Sequence, residues 1–315
     1  MAQLNSSVVP SNISSPGRPP PDSWDSWVST GLIPAVVLSF CFLLGVPGNM
    51  AVIALRPNWQ HLSGLSQTLM VNLAVSDLLC LLPLPLWIYT LLYDWTLGLV
   101  TCKLLAYLVY VSLYGSLLTV TALSVQRYLR VVQLQKWFDR EGRKRMLVLL
   151  WLIAMILSIP SLVLRQLTSD QRRTTCQPHF SSPAQRMAVL LSESLLGFVS
   201  ITLVVFSYIN LHRKVNQGAF FNNPHTTRLL TSIIVTFFVL WMPYHITNML
   251  GVAAISLKKD GLLMFCMESW RIVGALVFVN SFLNPLLYAF SSRNTCTVCH
   301  KRNTATVVDA EAHIS

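Results

Sequence analysis

The chain has 315 residues, of which 53% are hydrophobic and only 11% charged, with a formal net charge of +11 and a mean hydropathy of +0.55. A soluble domain carries about 25% charged residues, so this chain cannot clothe a globule in charge and part of its surface must face lipid. A disordered chain is excluded because such chains are polar and poor in aromatics; collagen is excluded by only 13 Gly, and a small disulfide scaffold by only 7 Cys in so long a chain.

Residues 1–30 hold Pro10, Pro16, Pro19, Pro20, Pro21 and several Ser, which reads as a disordered tail. Asn5-Ser6-Ser7 and Asn12-Ile13-Ser14 are glycosylation acceptors, meaningful only outside the cell. No cleavable signal peptide is visible, so the first span is expected to act as signal anchor. Seven apolar stretches of 18 to 32 residues follow, long enough against the about 20 residues that a helix needs to cross a bilayer. They are Gly31–Leu55, Leu62–Tyr93, Leu104–Gln126, Leu147–Leu164, Met187–His212, Leu229–Leu257 and Ile272–Ser292. Asp77 interrupts the second and Glu193 the fifth. Buried helices of a soluble protein seldom reach this length and apolarity seven times over. The expected fold is therefore all-α, an integral membrane bundle of seven helices over residues 31–292. A short cytoplasmic tail over 293–315 follows it. Internal repeats are not apparent, and no loop is long enough for a separate soluble domain.

Loop charges set the orientation. With the N-terminus outside, fourteen of the 23 Lys and Arg lie on inner segments and nine on outer ones, as the positive-inside rule requires. The net charge is thus largely membrane topology and not a nucleic-acid surface. Cys102 at the outer start of span three and Cys176 in the outer loop after span four form the expected disulfide, in an oxidising compartment. Cys41 and Cys80 lie within spans and are expected to pack, while Cys266 is outer and unpaired. Cys296 and Cys299, just past the last span on the inner side, are candidate palmitoylation sites.

An ionisable group inside a span is a functional hypothesis by default. Asp77 is such a group, with Asn49, Ser116, Asn280, Ser281 and Asn284 on neighbouring spans as expected partners. This collection of oxygens suits a sodium ion, since hard cations take oxygen ligands. The alternative is a carboxyl that only ties helices together. Pro47, Pro243 and Pro285 fall within spans one, six and seven, where each removes a backbone hydrogen bond and permits a kink.

Together these residues carry a resemblance. Gly48-Asn49, Leu73-Ala74-Val75-Ser76-Asp77, Arg127-Tyr128, Trp151, Trp241-Met242-Pro243-Tyr244 and Asn284-Pro285-Leu286-Leu287-Tyr288 each stand in the matching span of a rhodopsin-type (class A) G-protein-coupled receptor. The resemblance covers about residues 30–292. It implies that Trp241, next to Pro243, is the switch below a ligand pocket. It also implies that Arg127, Tyr208 and Tyr288 rearrange, with Asn284-Pro285 as a hinge, when the inner cavity opens to a G protein. Three departures stand out. Gln126 replaces the acid that usually precedes Arg127, Asn222, Asn223, Thr226 and Thr227 stand where span six usually has one, and Ser200 replaces a proline in span five. A resting state held by neutral hydrogen bonds, with Thr227 as one partner, and raised basal signalling are the expected result. Ser291–His300 lacks an apolar stripe, so the family's usual inner amphipathic helix is not expected.

Val109 stands where amine receptors carry an Asp, and Gly274-Ala275-Leu276-Val277-Phe278 lacks the retinal-binding Lys of opsins. Arg165 at the end of span four and Arg271 at the start of span seven instead offer cations; Arg172, Arg173, Arg186, Lys258 and Lys259 lie in outer loops, Arg172, Arg173 and Lys258 read as solvated. Tyr107, Tyr110, Tyr114, Tyr244, His245 and Asn248, with Leu113 and Met249, are expected to line the pocket. A mostly apolar cleft with a few placed cations and hydroxyls suits an amphipathic carboxylate. Glu193 is expected to pair with Arg165 or to accept a hydrogen bond from a ligand hydroxyl. Within the family the chain is most similar to the leukotriene B4 receptors of the chemoattractant branch. The stretches that carry this likeness are Pro160–Arg165, Ser192–Phe198, Trp241–His245 and Ser112–Tyr114. It implies that Arg165, Glu193, Tyr244 and the region of Arg271 hold a lipid's carboxylate and hydroxyls, although Ala106 replaces a His usual in that group. It further implies a plasma-membrane receptor for a lipid mediator of chemotaxis, coupled to an inhibitory-type heterotrimeric G protein. Thr295, Thr297, Thr304 and Thr306 offer phosphorylation sites, with arrestin as a possible later partner. Other anionic ligands remain open: an oxo-fatty acid, a small carboxylate, a nucleotide or a chemoattractant peptide. A transporter would show inverted repeats or a polar pore. An enzyme would show clustered metal ligands or a nucleophile with its base. Neither pattern is present in the sequence.

Overall fold

The computed structural model describes residues 31–55, 63–131, 140–170, 173–216 and 224–312. The helices are α1 (Ile33–Ala54), α2 (Gly64–Leu81), α3 (Leu84–Leu92), α4 (Gly98–Val131), α5 (Arg140–Leu157), α6 (Ile159–Leu164), α7 (Pro183–Asn216), α8 (Pro224–Ser256) and α9 (Asp260–Ala312). Two strands, β1 (Arg165–Asp170) and β2 (Arg173–Pro178), stand between α6 and α7. Seven spans long and apolar enough to cross a membrane result, with α2–α3 and α5–α6 each making one.

The packing is that of a membrane bundle. Large apolar side chains such as Phe40, Leu43, Val100, Leu195 and Val239 are exposed, while Asn49, Ser76, Asp77, Asn280 and Asn284 are buried. Lipid solvates the first group, and the second must find partners inside because hydrocarbon offers none. Asn72 shows the consequence. Its Nδ2 donates to Thr119 Oγ1 at 2.8 Å, and its Oδ1 accepts from Trp151 Nε1 at 2.9 Å, tying spans two, three and four. Around that tie lies an apolar cluster that includes Leu69, Leu73, Leu117, Leu123, Ile233 and Trp241. Spans one and seven meet at glycine. A Cβ on Gly45 would stand 2.5 Å from Leu81 Cδ1 and 3.0 Å from Phe282 Cβ, and one on Gly48 would stand 2.9 Å from Pro285 Cβ.

The helices are continuous through Pro47, Pro243 and Pro285. Several other expectations are corrected here. Spans two and four are interrupted, at Leu82–Pro83 and at Ser158. Pro83, Pro85 and Pro160 lack the N–H that would continue the ladder, and each ring crowds the carbonyl four residues back. The outer segment after span four is an antiparallel hairpin in which Leu167 pairs with Cys176, a strand pair not expected in an all-α chain. Span seven begins at Asp260, not Ile272, so Arg271 lies about three turns into α9 and not at its start. Only Leu257–Lys259 separates it from α8, with Lys258 in the left-handed region at φ +51°. Helix α9 also continues without a break to Ala312, past the boundary expected at residue 292 and through the segment not expected to be helical. Asn5, Asn12, Arg172, Asn222 and Asn223 lie outside the described residues, as do the side chains of Arg127, Thr226, Thr227, Arg271, Tyr288, Cys296 and Cys299.

Candidate functional site

The half of the bundle that carries the hairpin encloses a cavity of about 850 Å3. The hairpin forms part of its wall. Cys102 and Cys176 are bonded, with Cα atoms 5.8 Å apart, which pins β2 to the start of α4. Trp95 N donates to Thr174 O at 2.9 Å and His179 N to Leu164 O at 2.8 Å, fixing the hairpin at both ends. The break at Pro83 re-aims α3, whose Trp87 lines the cavity.

Six residues expected at the ligand, Arg165, Glu193, Tyr110, Tyr114, Tyr244 and His245, line this one space, as does Leu113. Arg165 leaves α6 at the first residue of β1. Its Nη1 donates to Cys176 O at 3.1 Å, and its guanidinium lies 5.6 Å from the centre of the Trp87 ring. The arginine is therefore held by backbone and by an aromatic face, with the Tyr110 hydroxyl beside it. The expected Glu193–Arg165 ion pair is not made. Glu193 Oε2 accepts from Tyr244 Oη at 2.6 Å and from Asn248 Nδ2 at 3.2 Å. Asn248 Oδ1 in turn accepts from Trp270 Nε1 at 2.6 Å. Tyr244 and Trp270 stack with ring centres 6.2 Å apart and an interplanar angle of 1°. A single polar chain thus joins spans five, six and seven beside the cavity.

Three expected lining residues stand elsewhere. Asn248 is buried and does not reach the cavity; it is occupied behind the wall by Glu193 and Trp270. Tyr107 turns its hydroxyl to Met155 O at 3.2 Å, toward span four. Met249 is exposed on the outside of α8, where lipid solvates it. Conversely, Trp87, Phe180, Arg186, Glu268 and Trp270 line the cavity without having been expected there. Arg186 packs its guanidinium 5.6 Å from the Phe180 ring centre, and its Nη1 lies 3.6 Å from Met267 Sδ. Its place in the loop after Cys176 was legible, but not that α7 begins three residues earlier and turns it inward.

At the cavity floor, Trp241 stacks on Phe237 at 5.2 Å and on His245 at 5.8 Å. Nearer the inner end, Asp77 is buried. Ser116 Oγ donates to its Oδ1 at 3.0 Å and Asn284 Nδ2 to its Oδ2 at 2.7 Å. Asn49, expected as a direct partner, donates instead to Gly45 O and Ser281 O, so it braces span one against span seven. The oxygens Asn49 Oδ1, Ser76 Oγ, Asn280 Oδ1 and Asn284 Oδ1 are buried without a hydrogen-bond partner. No group of three or more His, Cys, Asp or Glu able to hold a metal occurs among the described residues, so any cation here must suit one carboxylate and neutral oxygens. At the inner end of α4, Gln126 donates to Ser63 Oγ at 3.2 Å and Ser66 Oγ at 3.0 Å. It is tied to the start of span two.

Residues 48–288 match the profile of the family described as 7 transmembrane receptor (rhodopsin family). The chain belongs to the rhodopsin family of seven-transmembrane receptors. The receptor is 31% identical over 268 residues to human leukotriene B4 receptor 1, a match covering 82% of this chain and 76% of the relative. It is 29% identical to the C3a anaphylatoxin chemotactic receptor of Danio rerio, with coverage of 84% and 73%. It is 30% identical to apelin receptor B of Danio rerio, with coverage of 85% and 81%. The receptor is therefore a multi-pass plasma-membrane protein that answers an extracellular ligand through heterotrimeric G proteins, and not an enzyme.

Proposed function

We propose that this receptor, with its N-terminus outside, responds to an amphipathic lipid carboxylate, leukotriene B4 or a related eicosanoid, and signals through an inhibitory-type G protein. The observation that carries the reading is Arg165, braced by Cys176 O and Trp87 at the wall of a cavity otherwise lined largely by apolar and aromatic side chains. A carboxylate suits a guanidinium whose remaining donors form a planar fork, and an acyl chain suits the apolar remainder. Arg186 adds a second cation to the lining. Glu193, already engaged through Oε2, has its other oxygen for a ligand hydroxyl. The likeness to leukotriene B4 receptors agrees with this chemistry.

In this reading the ligand acts by differential affinity for two arrangements of the bundle. It touches Trp241 at the floor, and Trp241 shares α8 with the inner end of span six. Between them the oxygens around Asp77, Ser116, Asn280, Ser281 and Asn284 hold a sodium ion in the resting arrangement; within that set Asn280 Oδ1 and Asn284 Oδ1 are buried without a partner, which suits a hard cation of low charge.

A basic peptide is the second reading, favoured by Glu193 and Glu268 in the same lining and by the C3a and apelin receptors among the relatives. Inhibition of cyclic-nucleotide production in cells, measured against a panel of lipid carboxylates and of basic peptides, separates the two. Lipid acids should act on the native receptor and lose at least tenfold in potency with Arg165→Ala, the scale of one charge-assisted bidentate contact. Equal potency on the variant removes Arg165 from the site, and response to peptides alone favours the second reading.

A further inference from the structure

One contact at the rim of the cavity joins spans five and seven through a sulfur atom. Met267 of α9 is 48% exposed and lines the cavity; Met264, about one turn earlier, is 63% exposed and lines it too. Arg186 of α7 donates from Nη1 to Met267 Sδ at 3.6 Å. A thioether is a weak acceptor. The other contact of this guanidinium is the Phe180 ring, 5.6 Å from its centre. Arg186 Nε is buried and has no hydrogen-bond partner, and Lys144–Glu141 is the one salt bridge among the described residues. A permanent cation with donors to spare therefore faces a sulfur that answers it poorly. The same cavity is lined by Cys176, whose bond to Cys102 places this end of the bundle in an oxidising compartment. The thiol next in sequence, Cys266, is 5% exposed and thus shielded, whereas the thioether of Met267 is not.

We propose that Met267 is an oxidation site, and that its sulfoxide clasps Arg186 and so ties spans five and seven across the cavity rim. The oxidant is hydrogen peroxide. The Sδ lone pair attacks one peroxide oxygen, and an S–O bond forms as the O–O bond breaks. The proton on the transferred oxygen passes to the departing hydroxide, which leaves as water. Sulfur is oxidised by two electrons and the peroxide is reduced by two. The product, methionine sulfoxide, is polar where the thioether was apolar, and its oxygen gives the guanidinium a true acceptor. A hydrogen bond with an ionised donor is about twice as strong as a neutral one. Methionine oxidation ordinarily disrupts the packing around it. Here the sign reverses, because a half-exposed side chain has little packing to lose and a charged donor already stands beside it. The clasp also restrains the rim, so exchange of any ligand through it slows on oxidation. It stands on the Arg186–Met267 contact alone and needs no particular ligand chemistry.

The test uses the full-length, unliganded receptor in lipid nanodiscs, treated with graded hydrogen peroxide and then with catalase. Peptide mass spectrometry reads the sulfoxide at each methionine, and intrinsic tryptophan fluorescence follows thermal unfolding. Met264 and Met267 should oxidise well before Met70, which is buried in the core. As Met267 becomes oxidised, the melting temperature should rise by about 2–4 °C. Met267→Leu should abolish that rise and Met264→Leu should leave it intact. Met267→Gln, which puts a carbonyl acceptor on a side chain of similar reach, should reproduce the rise without any oxidant. A melting temperature that stays level or falls as Met267 oxidises, a rise that survives Met267→Leu, or a Met267 that resists peroxide while Met264 reacts would each overturn the clasp. The comparison of treated and untreated native receptor needs no variant to fold. Because no ligand is present, these results are independent of whether the cavity takes a lipid acid.

Discussion

Replacing Trp270 with phenylalanine should loosen the outer ends of spans five, six and seven by a predictable amount. Phenylalanine retains a ring to stack on Tyr244, so most of the aromatic contact survives. What disappears is the N–H that donates to Asn248 Oδ1 at 2.6 Å. Asn248 is 1% exposed, so water does not replace the donor. Leaving a buried acceptor unanswered costs about 1–3 kcal/mol. Trp270 itself is only partly buried, which places the loss toward the lower part of that range, about 1–2 kcal/mol. At about 2–4 °C per kcal/mol for a chain of this order, the unliganded receptor should melt about 2–8 °C lower. The packing change from indole to phenyl contributes too, and a double-mutant cycle with Asn248→Leu removes it. Once Asn248 is leucine, no oxygen remains to be orphaned, and Trp270→Phe should cost much less than in the native background. Thermal denaturation of detergent-purified protein, followed by a thiol-reactive dye, reads both. Equal losses in the two backgrounds would mean that the Trp270–Asn248 bond carries no weight and that the polar chain to Glu193 is incidental.

Three further outcomes follow from the structure. Asp77→Asn should abolish the stabilisation of the resting receptor by sodium over potassium in the same thermal assay; a sodium effect that persists would move the ion elsewhere. Gly45→Val should lower stability by about 1–3 kcal/mol, because its Cβ meets Leu81 and Phe282 at contact distances that spans one, two and seven cannot open cheaply; a melting temperature within a degree of native would contradict that packing. Gln126→Glu keeps the oxygen that accepts from Ser66 Oγ, gives up the amide donor to Ser63 and Ser66 and adds a negative charge next to Arg127 in the sequence, so ligand-free nucleotide exchange on the G protein should fall. Unchanged basal exchange would separate the missing acid from resting-state control.

Much of the bundle is legible from residue order alone. Length and apolarity mark spans because hydrocarbon forbids unpaired backbone, and Cys102 and Cys176 mark the outer face. The breaks at Pro83 and Pro160 were harder to place. Pro47, Pro243 and Pro285 carry the same chemistry yet sit in unbroken helices, so a proline's identity does not reveal how neighbouring helices absorb it. The start of span seven was misplaced because Glu268 and Arg271 look like loop charges, although one faces the cavity. In the site, residues named by charge or hydroxyl, such as Arg165, Glu193 and Tyr244, fall together. Asn248 falls just behind the wall because a short amide on a helix has no signal for which of two adjacent faces it serves. Trp87 and Trp270 carry no signal in the sequence for a related reason: in an apolar span a tryptophan reads as bulk, and only its surroundings make its N–H matter.

The account stands on an outer cavity that reads a negative charge on a lipid and on an inner end that reports it. Nucleotide exchange on a purified inhibitory-type G protein, driven by the receptor in nanodiscs, measures both at once when long-chain oxygenated acids are compared with their primary amides. The acids should drive exchange on the native receptor, the amides should fail at concentrations at least tenfold higher, and Arg165→Ala should erase the difference. Amides as potent as acids would contradict the account at its root.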